Sequence, residues 1–122
     1  MAKNFQGIGA VLAGLAVALG AFGAHMLEGM VSADRLVTFE TGVKYQMYHA
    51  LALLLVGWIM RSSGEALQAV GYCFLAGILI FSGSLYILVL TNTPWLGAIT
   101  PIGGVAFIAG WCIWAVKSFK KN

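Results

Sequence analysis

Long apolar stretches alternate with short polar ones along the chain, and their lengths set the predicted architecture. A helix needs about 20 mainly apolar residues to cross the hydrocarbon core of a bilayer. The candidate spans are approximately residues 5–27, 45–60, 67–90 and 96–116. Backbone groups in lipid must hydrogen-bond internally, and these stretches are far longer than the strands of a membrane barrel. The pattern therefore predicts an all-α integral membrane protein, folded as a bundle of four transmembrane helices.

The composition is that of a membrane protein. The 122 residues are 61% hydrophobic and 9% charged, whereas soluble domains carry roughly 25% charged residues. So little charge cannot cover a soluble surface. The length allows one domain, and we expect residues 1–122 to form a single four-helix membrane domain. Because no basic patch is interleaved with aromatic residues, nucleic acid is not an expected partner.

Polar residues between the first two candidate spans predict a further helical segment. Charged side chains concentrate in residues 28–44, and Ser32 is suited to be an N-cap with Asp34 in the first helical turn. A helix over residues 33–44 would continue into the second span without a break. We therefore expect a polar helical connector between spans one and two.

The distribution of Lys and Arg predicts the orientation of the chain. Cytoplasmic ends of membrane spans carry an excess of these residues. If both termini share one side, that side holds five of them: Lys3, Arg61, Lys117, Lys120 and Lys121. The opposite side then holds two, Arg35 and Lys44. Both termini are therefore predicted to be cytoplasmic, with Trp58, Trp111 and Trp114 as interfacial anchors near that side.

Small residues recur at helical spacing and predict the contacts between helices. Lipid offers no hydrophobic driving force for helix association, so close packing of small residues takes its place. On the first span one such face leads in register to His25, and a second face lies beside it along Gly9, Ala13, Ala16, Gly20 and Ala24. The residues assigned to helix packing are Gly7, Gly14, Ala18, Ala21, Gly77, Gly83, Gly103 and Gly110. Such faces also favour a homo-oligomer.

The segment YQMYHALALLL, residues 45–55, places a polar cluster directly before an apolar run. At about 100° per residue, its polar members share one helical face, which we expect to point into the bundle: Tyr45, Gln46, Tyr48 and His49. Polar side chains at membrane depth are costly and mark candidate sites. His25 ends the first span on the same outer side, so we expect it to approach His49.

Further polar candidates lie in the last two spans. Ser82 and Tyr86 are one helical turn apart, with Ser84 between them. Thr100 precedes a proline near the start of the fourth span. Three interpretations of the polar residues are open: hydrogen bonds that lock the helices together, a site for a small polar ligand, proton or lipid headgroup, and a metal or bis-histidine haem site. The last lacks a third firm ligand, so no metal ligands are assigned and no cofactor is predicted.

The sequence contains no constellation typical of an enzyme. It holds no nucleophile–base–orienter set, no paired acids and no phosphate-binding loop. A small multidrug antiporter would need an acid inside the membrane, and no Asp or Glu lies within the predicted spans. We therefore expect a protein that is not an enzyme.

Four motifs along the chain resemble a known family. They are GAFGAHML (20–27), TFETGVKYQMYHALALLL (38–55), FSGSLYILVLT (81–91) and LGAITPIGG (96–104). In this order they resemble the small bacterial membrane proteins called domain of unknown function 423, to which the eukaryotic transmembrane protein 256 is related. The resemblance implies a multi-pass, four-helix protein of the bacterial inner membrane, with no established activity and no catalytic residues to carry over. It also suggests a role in membrane integrity and stress tolerance.

These observations lead to three hypotheses of function. The first is a non-enzymatic protein that supports the membrane through contacts with lipids or a partner membrane protein, as a homo-oligomer. The second is a small transporter or channel for a proton, ion or small polar solute, with a polar vestibule near the outer face lined by His25, Tyr45, Gln46, Tyr48 and His49. The third is a haem- or metal-binding membrane module.

Overall fold

The computed structural model describes residues 4–121, and four long helices account for most of them. Helix α1 is Phe5–Leu27, α2 is Ala33–Ser63, α3 is Gln68–Thr91 and α4 is Pro94–Lys120. One π-helical turn interrupts each of α1 and α3, at Leu19–Gly23 and Ile78–Ser82. Helix α4 begins as the 3₁₀-helix Pro94–Ala98 and is α-helical over Thr100–Lys120. No β-strand occurs within residues 4–121.

Three of the helices, α1, α3 and α4, are long and apolar enough to cross a membrane. They contain 23, 24 and 27 residues, which corresponds to lengths of about 34–40 Å at about 1.5 Å per residue. The predicted helices over residues 5–27, 67–90 and 96–116 are therefore confirmed, with ends that differ by a few residues at most.

Helix α2 begins and ends with the local signals expected of a helix. Ser32 precedes it, and its Oγ accepts a hydrogen bond from the backbone N–H of Arg35 at 3.2 Å. At the other end Gly64 adopts a left-handed conformation with a φ of 72°, which glycine tolerates best. The predicted N-cap and the uninterrupted passage of residues 33–44 into the second apolar segment are both confirmed.

Helix α2 lies antiparallel to α1 and beside it from end to end. A Cβ added to Gly57 would lie 2.7 Å from the backbone nitrogen of Gln6, at the start of α1. Towards the other end of α1, a Cβ added to Gly23 would lie 3.2 Å from the ring of Phe39. Because these two contacts occur near opposite ends of α1, the helices stay side by side over nearly its whole length.

The first turns of α2 also pack against α3, which corrects one expectation. Phe39 is buried in a cluster with Leu88 of α3, and Gly42 is buried against the ring of Tyr86. Residues 33–44 are therefore not a connector beyond the ends of the other helices. Their average polarity hid an apolar face, because their charged side chains point away from both neighbours.

Helices α3 and α4 approach each other closely through glycine. In each contact a glycine faces an aromatic side chain or backbone of the opposite helix: Gly77 faces Phe107, Gly103 faces Phe81 and Gly110 faces Phe74. A Cβ at any of these glycines would collide with its neighbour. The absence of a side chain therefore sets the distance between the two helices.

Other residues assigned to packing do not contact a neighbouring helix of this chain. An added Cβ would meet nothing within 4 Å at Gly7, Gly14 or Gly83, and the side chains of Ala18 and Ala21 are exposed. The face of α1 that meets α2 is the adjoining small-residue face, which includes Gly9, Ala16 and Gly20. Two parallel small-residue faces are equivalent in a sequence, so spacing alone selected the wrong one.

Candidate functional site

Gln46 joins three helices through its side-chain amide. Its Nε2 donates a hydrogen bond to the Leu12 carbonyl of α1 at 2.7 Å, and its Oε1 accepts one from the Tyr86 hydroxyl of α3 at 2.6 Å. Gln46 is 3% exposed, so its amide is shielded from solvent and is satisfied by these two protein groups. Gly42, one turn before Gln46, leaves room for the Tyr86 ring: an added Cβ would lie 2.8 Å from it.

Ser82 forms a second link between α2 and α3. Its Oγ donates to the Gly42 carbonyl at 2.6 Å, and the residue is fully buried. Ser82 is the last residue of the π-helical turn in α3. A π turn contains more residues than an α-helical turn, so it changes which face of α3 the following residues occupy. Ser82 and Tyr86 both reach α2 from the segment that this turn positions.

Ser84 and Thr100 form the polar link between α3 and α4. Their hydroxyl oxygens are 2.5 Å apart and share one hydrogen bond. Both side chains are buried, and Ser84 also lies within hydrogen-bonding distance of the Phe81 carbonyl, at 2.9 Å. Thr100 is the first α-helical residue of α4 after its 3₁₀ turn, so this bond fixes the point where α4 joins α3.

His49 links α2 to α4 as a neutral imidazole. The indole Nε1–H of Trp111 donates to His49 Nε2 at 3.0 Å, so Nε2 must carry the lone pair. Nδ1 then carries the proton and donates it to the Tyr45 carbonyl at 2.8 Å. The ring is stacked on Phe107, with 3.6 Å between centroids and 11° between planes. Both ring nitrogens are engaged, which leaves neither for a metal or a transferred proton.

The two tyrosines of the predicted polar face differ from Gln46 and His49. The Tyr45 ring packs on Phe81 with 4.8 Å between centroids, and the residue is 37% exposed. Tyr48 is 54% exposed and contacts Tyr45 edge-on. The prediction that all four polar residues point inward is therefore wrong for Tyr48, which lies on the outer surface of α2.

His25 does not approach His49. Its side chain is 83% exposed, and its nearest charged neighbour is Glu28, at 3.9 Å. His25 lies close to the level of Phe39, which contacts Gly23, and ten helical residues separate Phe39 from His49. Ten residues span about 15 Å of helix. The predicted outer vestibule shared by the two histidines is therefore not formed.

These interhelical hydrogen bonds are together called the network; most of them involve α2, whereas the Ser84–Thr100 bond joins α3 to α4. Gln46 reaches α1 and α3, Ser82 reaches α2 from α3, and His49 reaches α4. Among the described residues no buried side-chain nitrogen or oxygen lacks a partner. Polar groups paired in this way hold apolar helices in one register, because separating the helices would leave the groups unsatisfied.

The sequence did not reveal the partners of this network. Trp111 was predicted only as an interfacial anchor; the residue is 45% exposed, but it also lies one turn after Phe107 and beside Gly110, and its indole reaches His49. That spacing was the available signal. The carbonyls of Leu12 and Gly42 carry no signal, because every residue has a carbonyl. No group of three or more His, Cys, Asp or Glu side chains suited to a metal occurs in residues 4–121.

A groove opens at the end of the molecule that carries the chain termini. Its volume is about 640 Å³, and it is lined by Asn4, Gln6, Gly7, Ile8, Val11, Leu12, Leu75 and Arg61. The walls are mainly apolar, and the guanidinium of Arg61 lies at the end of α2. Gly7 keeps the groove open, because a side chain there would project into free space.

At the same end of the molecule, two lysines of α4 contact the connection between α2 and α3. Lys117 donates a hydrogen bond to the Ala66 carbonyl at 2.5 Å, and Lys121 forms an ion pair with Glu65. Both partners belong to the connection between α2 and α3. These contacts tie the end of α4 to the loop beside it.

Three helices are long enough to cross a membrane. Their buried polar groups are paired inside the molecule, and apolar side chains lie outside. These features define the class of the chain as a helical membrane protein. The chain belongs to the family described as "Protein of unknown function (DUF423)", which matches residues 19–104. The resemblance carried by the four sequence motifs is thereby confirmed.

Two relatives illustrate how similar the members are. The UPF0382 membrane protein SAB0533 of Staphylococcus aureus is 50% identical over 118 residues, which cover 97% of either chain. The UPF0382 membrane protein YwdK of Bacillus subtilis is 50% identical over 120 residues, covering 97% of this chain and 98% of its own. No solved structure matches the sequence.

Proposed function

We propose that the protein crosses the bacterial inner membrane four times, as one four-helix membrane domain with both termini in the cytoplasm. The position of α2 supports the fourth span, because it packs against α1 and α3 along both of them. The excess of Lys and Arg at the end that carries the termini supports the orientation.

Within that membrane the protein acts without catalysis. It supports membrane integrity and stress tolerance through contacts with lipids and partner membrane proteins, as a homo-oligomer. One observation carries this proposal: the buried polar side chains are hydrogen-bonded to neighbouring helices. Groups engaged in this way stabilise packing, so the outer surface is the part of the molecule that meets other molecules.

The groove at the cytoplasmic end supports contact with lipids. Its apolar walls suit an acyl chain, and Arg61 at its rim suits a phosphate. Replacing Gly7 with leucine is expected to fill the groove and to lower the number of phosphatidylglycerol molecules that native mass spectrometry finds per chain. Gly14→Leu is the matched control, because Gly14 also faces open space on α1 but does not line the groove. Equal lipid retention in both variants would contradict lipid binding in the groove.

A strain that lacks the gene tests the proposed role. We expect it to take up a membrane-impermeant dye faster than the parent under ethanol or hypo-osmotic stress, and we expect the wild-type gene to restore the barrier. Gln46→Leu should restore less and accumulate less, since it breaks the network. Gln68→Leu, the same change at an exposed glutamine of α3, should restore fully. Unchanged dye uptake in the deletion strain would reject the proposal.

A flux measurement separates this role from transport. Purified protein in liposomes is expected to leave a proton gradient and the permeability to small ions unchanged. A flux that depends on the protein and is lost in His49→Ala would favour the transporter hypothesis instead.

A further inference from the structure

The outward face of α2 carries two charges that have no partner among residues 4–121. Glu40 and Lys44 are both exposed, and they lie one helical turn apart. No hydrogen bond or ion pair joins either side chain to another described residue, and none joins them to each other. Elsewhere among the described residues, the partly buried acid Glu65 does have a partner, in Lys121.

These two charges lie level with the apolar parts of α1 and α3. Val43 contacts Gly20 of α1, so Lys44 lies beside the second half of that helix and within its length. About eight residues separate that level from the end of α1 at Leu27, which amounts to about 12 Å of helix. On the other flank Gly42 contacts Tyr86 of α3, several residues before α3 ends. Both charges are therefore inside the depth that α1 and α3 define.

Lipid chains cannot satisfy these side chains. An ionised group at membrane depth is costly unless it is paired or reaches water. The exposed face of α1 poses no such difficulty, because Gly14, Ala18 and Ala21 can contact acyl chains at no electrostatic cost. We therefore expect this face of α2 to contact a partner that carries both an anionic and a cationic group, about one helical turn apart.

A second copy of the same chain offers that arrangement. In a pair related by a two-fold axis along the membrane normal, the two α2 helices run parallel. Each Glu40 is then about one turn away from Lys44 of the other copy, and the two-fold symmetry makes both cross-pairs form together.

The spacing of the exposed apolar residues agrees with such a contact. Positions 37, 44, 51 and 58 follow each other at intervals of seven and are all exposed. Three of them are large and apolar: Val37 is 61% exposed, Leu51 51% and Trp58 57%. A seven-residue repeat keeps one seam of a helix against a parallel partner. The remaining position of this seam, the second in chain order, is Lys44.

We propose that this face of α2 is a homodimer interface in which Glu40 of each copy pairs with Lys44 of the other. The proposal rests on the four-span topology proposed above and names the surface through which the homo-oligomer forms. It does not depend on the role of the protein in membrane integrity.

Charge reversal tests the pairing directly. Two differently tagged copies are co-expressed, and the fraction of one tag that co-purifies with the other from mild detergent is measured. E40K alone or K44E alone should lower co-purification about fivefold or more, since each variant places like charges opposite each other. Co-expression of the E40K chain with the K44E chain should restore it to within about twofold of wild type. The double variant E40K/K44E should do the same.

Controls keep the outcome decisive. Glu28→Lys makes the same change at an exposed acid outside the seam and should leave co-purification unchanged. If a reversed chain does not accumulate, E40Q and K44Q remove charge without repulsion and should lower co-purification with no loss of protein. The proposal would be overturned if wild-type copies did not co-purify. It would also be overturned if E40K and K44E left co-purification unchanged. Loss in the single variants without rescue in the mixed pair would also overturn it.

Discussion

The two sides of α2 hold polar groups in opposite situations. On the inner side, Gln46 and His49 are buried and fully paired within the chain. On the outer side, Glu40 and Lys44 are exposed and have no partner within the described part of the chain, residues 4–121. One helix can thus serve two purposes: its inner polar groups fix the fold, and its outer ones are proposed to pair with a second copy.

The largest loss of stability is expected at Gly42, where a close helix contact lies beside the hydrogen bond between Gln46 and Tyr86. A leucine at Gly42 would collide with the Tyr86 ring, and would push it away from Gln46. Overpacking alone costs about 1–3 kcal/mol, and the broken hydrogen bonds add to this. Gly42→Leu should therefore accumulate in the membrane at a small fraction of the wild-type level, as measured by immunoblot. Gly14→Leu, at a glycine facing open space, should accumulate normally; equal loss in both would contradict the account.

Gln46→Leu should have the next largest effect. It leaves the Tyr86 hydroxyl without its acceptor, and buried polar groups that lose a partner cost about 1–3 kcal/mol. The measurement is the midpoint of unfolding in mixed micelles as the denaturing detergent increases. Tyr86→Phe in the same background should recover part of the loss, because it removes the orphaned hydroxyl. Strict additivity of the two substitutions would show that the side chains do not interact.

Trp111→Phe should have a smaller effect on stability and a specific effect on His49. It removes the donor to Nε2, and hydrogen bonds between membrane helices are worth about 0.6 kcal/mol on average. Nitrogen-15 NMR should show His49 protonated at Nδ1 in both the wild type and the variant, because the Tyr45 carbonyl still accepts from Nδ1, and the variant should shift the Nε2 resonance, which has lost its donor. Trp114→Phe, at the neighbouring stacked indole, should leave the Nε2 resonance unchanged. A wild-type His49 protonated at Nε2 would refute the assigned hydrogen bonds.

The smallest effect is expected on the outer side. Tyr48→Phe removes an exposed hydroxyl, and surface substitutions of this kind usually change stability by less than about 0.5 kcal/mol. The same substitution at Tyr86 should cost more, since that hydroxyl is bonded to Gln46. If both variants unfold at the same detergent fraction, the distinction between the two sides of α2 fails.

Much of the helical fold could be predicted from the sequence, because the length of an apolar run and a cap such as Ser32 are local properties. The faces were harder to predict. The π turn at Ile78–Ser82 shifts the register of α3, so a helical wheel cannot be extended across it. The inner face of α2 before Tyr45 was hidden by hydropathy averages, since Glu40 and Lys44 outweigh Phe39 and Gly42.

The residues of the candidate site could be predicted from the sequence, but the hydrogen-bond partner of each residue could not. Gln46, Ser82 and Tyr86 stood out because polar side chains are rare in apolar segments. Their pairing depends on contacts between residues 40 positions apart, which no local spacing reports. His25 was misplaced for the same reason: the register of α1 against α2 is set by Gly9, Gly20 and Gly57, and that register follows from packing.

We propose that the charged turns of α2 lie inside the membrane beside α1 and α3. Single cysteines at Ser32 and at Lys44, in a background with Cys73→Ser and Cys112→Ser, test it in intact cells with a membrane-impermeant maleimide. The account predicts rapid labelling of Ser32→Cys and at least tenfold slower labelling of Lys44→Cys. Equally fast labelling at both positions would place Lys44 in water and contradict the account.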